Sequence, residues 1–165
     1  MLTIVCFLVF KINQKYTKNK LAETQRKSMP AFVLYDQNLK PFSATRQVKP
    51  GVSVCVFYYD ADCDHCQYEA TQIGNHIADF KNMQIFMVSA NPPAATKIFS
   101  SSYKLAQYPF ITWLYDKDYN FYNWFGQAVT PSVYIYNKEH QLIKAYTGEV
   151  KIEALVKYLQ NAKES

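Results

Sequence analysis

Val52 to Phe80 reads VSVCVFYYDADCDHCQYEATQIGNHIADF, and its two halves obey different rules. Val52 to Tyr59 places β-branched and aromatic residues on nearly every position, the composition of a strand buried on both faces. Asp60, Ala61 and Asp62 interrupt that run. From Cys63 onward polar and apolar residues mix at helical spacing, with Ile73 and Ile77 four apart. A strand therefore ends, and a helix begins at or near the first cysteine of Cys63-Asp64-His65-Cys66, with Asp62 suited to cap it. At such a junction, unpaired backbone N–H groups and the positive end of the helix dipole favour thiolate over thiol.

Working outward, the 165 residues and their 49% apolar content suffice for one α/β domain with a filled core. Ala31–Leu34 and Pro41–Arg46 read as short extended pieces around the turn Asp36-Gln37-Asn38. Gln84–Ser89 reads as a second buried strand, Ala94–Leu105 as a helix and Phe110–Tyr115 as a strand. Tyr119–Phe125 is a short helix closed by Gly126. Ser132–Tyr136 and Gln141–Tyr146 are strands joined by a four-residue turn, and Lys151–Leu159 is an amphipathic helix. This order predicts an α/β fold with a central mixed sheet and helices on both faces.

The formal charge of +5 does not make a nucleic-acid face. Residues 1–29 hold six basic residues against Glu23, and the remainder holds twelve of each sign. With no net charge on residues 30–165, nucleic acid is not expected as a partner. Met1–Phe10 (MLTIVCFLVF) is apolar and ends at Lys11, too short for the about 20 residues that a membrane span takes. It lacks the charged start and the small-residue cleavage site of a signal peptide. The expectation is that residues 1–11 are the end of an N-terminal membrane anchor, that 12–29 form a basic linker, and that 30–162 form the folded domain. Lysines after the apolar run count against that orientation.

Four cysteines in a chain of this length do not form a disulfide framework. Cys55 lies inside the predicted buried strand, where it acts as a small hydrophobe, and Cys6 lies in the apolar N-terminus. Cys63 and Cys66 are placed to react: the first attacks a partner disulfide and the second resolves the mixed disulfide. A zinc site would need a second ligand pair, and c-type haem attachment needs His where Gln67 stands. His76 and His140 read as surface residues. No cofactor or metal is called for.

Strand, Cys63-x-x-Cys66, helix, Glu69 three residues after the second cysteine, and Thr130-Pro131 before a late strand together resemble the thioredoxin-fold superfamily. Within it, the chain is similar to the TlpA/ResA-like membrane-anchored thiol-disulfide oxidoreductases over about Pro30–Leu159. The resemblance implies a thioredoxin-like fold, a cis Pro131 facing the dithiol, and Glu69 near it setting acidity and partner choice. It implies protein thiols and disulfides as partners, leaves room for a membrane electron donor, and places the domain on the extracytoplasmic (periplasmic) side, anchored by its N-terminus. The chain departs from the pattern in two respects: Asp62 replaces Trp before the first cysteine, and Asp64-His65 replaces a dipeptide that often carries Pro. Protonated His65 favours the Cys63 thiolate, whereas Asp60, Asp62 and Asp64 oppose it. The balance leans toward a reductant. Two alternatives stand beside this reading. A peroxiredoxin-type thiol peroxidase would carry Thr three residues before its cysteine, where Asp60 stands. A thioredoxin-like copper carrier would use CxxxC.

Overall fold

The computed structural model describes residues 2–164. Seven strands form one mixed sheet: β1 (Val33–Tyr35), β2 (Pro41–Ser43), β3 (Val54–Tyr58), β4 (Gln84–Ser89), β5 (Ile111–Tyr115), β6 (Ser132–Tyr136) and β7 (Leu142–Thr147), in the order β2-β1-β5-β4-β3-β6-β7. β3, β4 and β5 run parallel, and β6 pairs antiparallel with β3. β3 is an interior strand, buried at all five positions, because it is paired on both edges with β4 and β6 and covered on both faces.

The two-residue period of β3 divides the core. Cys55, Phe57 and Tyr59 enter the layer beneath α3 (Asp64–Asn75) and α6 (Ile152–Glu164), together with Ile73, Phe80, Phe99, Leu155 and Leu159. Val54, Val56 and Tyr58 enter the opposite layer with Phe32, Phe86 and the short helix α5 (Phe121–Phe125). There Phe121 stacks between Tyr58 and Phe125, with ring centroids 4.1 and 4.2 Å away. The high aromatic content of the sequence thus goes into filling both layers. Asp116, itself buried, begins α5 by accepting the N–H groups of Asn120 and Phe121 at 2.8 and 2.9 Å.

α1 (Leu2–Gln25) is one continuous helix, followed by the one-turn α2 (Ala44–Gln47) and, between β4 and β5, by α4 (Pro93–Ser102). The expected N-terminal membrane anchor, the membrane association drawn from it and the membrane-anchored form of the extracytoplasmic placement are overturned here. Among the described residues no helix is long and apolar enough to cross a membrane. The physical reason is that the apolar run of α1 stops at Lys11, and Lys15, Lys18 and Lys20 follow along the same helix. Each lysine would cost roughly 2.5–3.5 kcal/mol at the centre of a bilayer. Met1 of the expected anchor lies outside the described residues.

The far end of α1 docks on the domain. Ala22 is buried, Tyr122 donates its hydroxyl to Asn19 Oδ1 at 2.7 Å, and Arg26 Nη1 donates to the Phe125 carbonyl at 2.6 Å. Residues 27–29 then run along the open edge of β7, with Met29 N–H on the His140 carbonyl and Leu142 N–H on that of Lys27. That covers part of an edge that would otherwise offer free backbone groups. Gly126 closes α5 at φ +79°, and a Cβ there would stand 3.0 Å from that of Ala22. Gly126→Ala is therefore expected to lower stability by about 1–2 kcal/mol, read as the urea midpoint. An unchanged midpoint would contradict this packing of α1 on α5.

Candidate active site

The bend after β3 is built from local hydrogen bonds. Asp60 Oδ1 accepts the Asp62 N–H at 2.9 Å, and the Cys63 N–H reaches the Asp60 carbonyl at 3.3 Å. This turn moves the helix start one residue beyond the expected cap: Cys63, not Asp62, is the N-cap of α3, with no side-chain cap bond. Asp64 in the first turn interacts favourably with the helix dipole. Asn91, after β4, holds the bend from the side, its Oδ1 accepting Ala61 N–H at 2.8 Å and Ser89 Oγ–H at 2.7 Å. Gln67 Nε2 donates back to the Ala61 carbonyl at 3.0 Å.

Helical spacing then decides what is buried. Cys66, Glu69, Ala70 and Ile73 lie at i, i+3, i+4 and i+7, and all four face the core. Cys63 is partly exposed while Cys66 is 2% exposed, and both are free thiols. The Cys66 sulfur accepts the Asp60 N–H at 3.5 Å. Burial pushes the Cys66 thiol up to about 12, against the lowering effect of that bond and with a further rise from the neighbouring Cys63 and Glu69.

Glu69 is 4% exposed, and burial raises its carboxyl to about 8. A hydrogen bond from Val150 N–H works against that rise, and the nearby Glu149 carboxylate adds to it. Glu69 Oε1 has no hydrogen-bond partner among the described residues. Tyr59, the last apolar residue before the bend, is buried against Phe99 and Trp113, and its hydroxyl likewise has no partner there.

The five side chains singled out from sequence fall into two groups. Cys63, His65, Cys66 and Glu69 lie on the bend and the first two turns of α3. Pro131 arrives from elsewhere. It is buried, follows a cis Thr130–Pro131 peptide, and precedes Ser132, which pairs with Tyr58 at the end of β3 from which the bend departs. His65 is 70% exposed, and its Nδ1 lies 2.6 Å from Glu149 Oε2. Sequence reasoning missed Glu149, Gly148, Val150 and Asn91, since nothing local ties them to the bend. Among the described residues no three or more His, Cys, Asp and Glu side chains converge in a metal-binding arrangement.

The strand, dithiol bend, helix and late Pro131 on a mixed sheet covered on both faces define a thioredoxin-fold protein. Its closely spaced cysteines form a CxxC-type redox site, the equipment of a redox-active thiol enzyme. The chain belongs to the AhpC/TSA family, whose model matches residues 26–146. No curated protein is similar enough in sequence to count as a relative. Solved structures share the fold at low identity. A secreted Mycobacterium tuberculosis disulfide oxidoreductase homologous to E. coli DsbE is 16% identical, with a TM-score of 0.67 over 79% of this chain and 96% of that one. A thioredoxin-like protein from Porphyromonas gingivalis is 17% identical, with a TM-score of 0.67 over 82% and 91%. A peroxiredoxin-like protein from Aquifex aeolicus is 16% identical, with a TM-score of 0.66 over 82% and 85%. These names span both disulfide and peroxide chemistry, so the subfamily is not fixed by them.

Proposed function

We propose that this chain is a thiol-disulfide oxidoreductase that exchanges disulfides with partner proteins through Cys63 and Cys66, with reduction of the partner as the favoured direction. The observation that carries the reading is the inequality of the two thiols: one at the surface on a helix N-terminus, the other buried beside a buried carboxyl group. In this reading the Cys63 thiolate attacks a partner disulfide. The partner S–S bond breaks, a Cys63–partner disulfide forms, and one partner sulfur leaves as thiolate and takes a proton. Glu69, with its carboxyl near 8, is ionised often enough near neutral pH to take the Cys66 proton. The Cys66 thiolate then attacks the Cys63 sulfur, closing the intramolecular disulfide and releasing the second partner sulfur. Two electrons pass from the dithiol to the partner.

Pro131 lies at the same end of the sheet, where a partner segment would pass, and His65 stands exposed on the first turn of α3. The unfavourable ionisation of Cys66 supports the reductant direction, because a dithiol that resists ionisation leaves its disulfide relatively stable.

The family match favours one second reading, a thiol peroxidase. There the Cys63 thiolate would attack a peroxide oxygen, releasing an alcohol or water and leaving a sulfenic acid, which Cys66 would condense to a disulfide with loss of water. Asp60 places a carboxylate three residues before Cys63, and a negative group there opposes a thiolate.

The test is a Cys66→Ser variant incubated with proteins bearing disulfides. A long-lived mixed disulfide on Cys63 is expected, together with slow consumption of peroxide by the unaltered protein. No trapped species alongside rapid peroxide turnover would move the assignment to the peroxidase. A reduction potential near the roughly −120 mV of a strong disulfide donor would reverse the favoured direction.

A further inference from the structure

Three consecutive residues of the loop between β7 and α6 each hold a different part of the site. Gly148 N–H donates to the Pro131 carbonyl at 2.9 Å, the Glu149 carboxylate meets His65 Nδ1 at 2.6 Å, and Val150 N–H donates to the Glu69 carboxylate. Gly148 turns the chain at φ +83°, a value that a side chain would strain. The middle contact is the informative one, since two ionisable side chains 84 residues apart meet, one of them on the first turn of α3 two positions from Cys63.

We infer that Glu149 is a positioning residue for the dithiol: its carboxylate anchors the His65 imidazole and cancels its charge, so that His65 does not support the Cys63 thiolate. This rests on the reading above of Cys63 as the attacking thiol.

The charges around that thiol can be named. The bend and first turn bring Asp60, Asp62 and Asp64, and α3 brings His65 on its surface and Glu69, with Cys66, beneath. The loop brings Glu149 and then exposed Lys151. Between Asp60 and Ala70, His65 is the one basic residue, two positions from Cys63. Released from Glu149, its imidazolium would add to the helix dipole in stabilising a thiolate at the N-cap. A stabilised thiolate favours the reduced pair and makes the disulfide more oxidising. Glu149, by holding His65, therefore keeps the pair on the reducing side.

The experiment measures the rate of Cys63 alkylation by iodoacetamide against pH, in a Cys66→Ser background, for the parent, Glu149→Gln, His65→Ala and the double variant. At pH 5.5 imidazolium is the prevailing form of a histidine. There, Glu149→Gln should raise the rate about two- to fivefold, the range that one exposed ion pair supplies. The gain should vanish when His65→Ala accompanies it. An equal gain with and without His65 would mean that Glu149 acts by its bare charge, and would overturn the inference, as would no gain at all. His65 and Glu149 are 70% and 41% exposed at their side chains, so these substitutions leave the core intact. Alkylation reads the thiolate whether or not a partner protein is ever reduced. Failure of this inference therefore stays distinct from failure of the functional reading, which the trapping experiment reports.

Discussion

Glu69→Gln should gain about 4 kcal/mol of stability relative to the unaltered protein as pH rises from 5 to 9. The carboxyl titrates near 8 in the folded chain and near 4.5 when exposed, because burial disfavours its ionised form. The unfolded chain therefore releases this proton first. Stability from the neutral carboxyl is fully present below about 4.5, falls as pH climbs, and is lost once the folded group ionises near 8. Gln does not titrate, so its curve lacks that decline. At pH 5 the two proteins should differ by only about 1 kcal/mol, since the Gln carbonyl can accept the Val150 N–H while its amide N–H2 lacks a partner. Urea unfolding of both proteins at pH 5, 7 and 9, kept in the dithiol form, measures the divergence. Parallel curves would show that Glu69 is ionised in the folded protein throughout. The same substitution removes the proposed proton acceptor for Cys66, so the variant is more stable at alkaline pH yet slower in the resolving step.

Cys63→Ser should lower disulfide exchange at least about a thousandfold, because no thiolate remains where a partner can reach it. Cys66→Ser should keep the first attack within about tenfold of the unaltered rate and lose only the second step. The asymmetry follows from position: Cys63 is partly exposed at the N-cap of α3, and Cys66 is 2% exposed with its thiol pushed up to about 12. Stopped-flow mixing with a peptide disulfide separates the two steps. Retention of the first step in Cys63→Ser, with its loss in Cys66→Ser, would exchange the roles of the two cysteines.

Composition alone locates the central elements. β4 occupies Gln84–Ser89 and β6 Ser132–Tyr136, the bounds that their sequences suggest, because a strand paired on both edges and covered on both faces is apolar or aromatic throughout its interior, as Ile85–Val88 and Val133–Tyr136 are. The N-terminal region misleads for a related reason. Apolar residues 2–10 and the lysine-rich stretch after them look like two segments, yet backbone hydrogen bonding carries one helix through both, and docking of Ala22 and Arg26 on α5 fixes its end. The cap of α3 shifts from Asp62 to Cys63 because Asp60 captures the Asp62 N–H, a competition between neighbouring polar groups that propensity does not rank.

By itself the sequence determined the strand-to-helix bend, the placing of Cys63 and Cys66 at a helix start, and Glu69 one turn later on the same helix, whose burial only the structure shows. These follow from interactions within a few residues of one another. What the tertiary structure alone decided is the company that bend keeps: Pro131 beside the end of β3, Val150 on Glu69 and Glu149 on His65. Those contacts join residues far apart along the chain, 84 positions in the case of His65 and Glu149. They arise because β6 and β7 return to the same end of the sheet, and no local pattern encodes such a meeting.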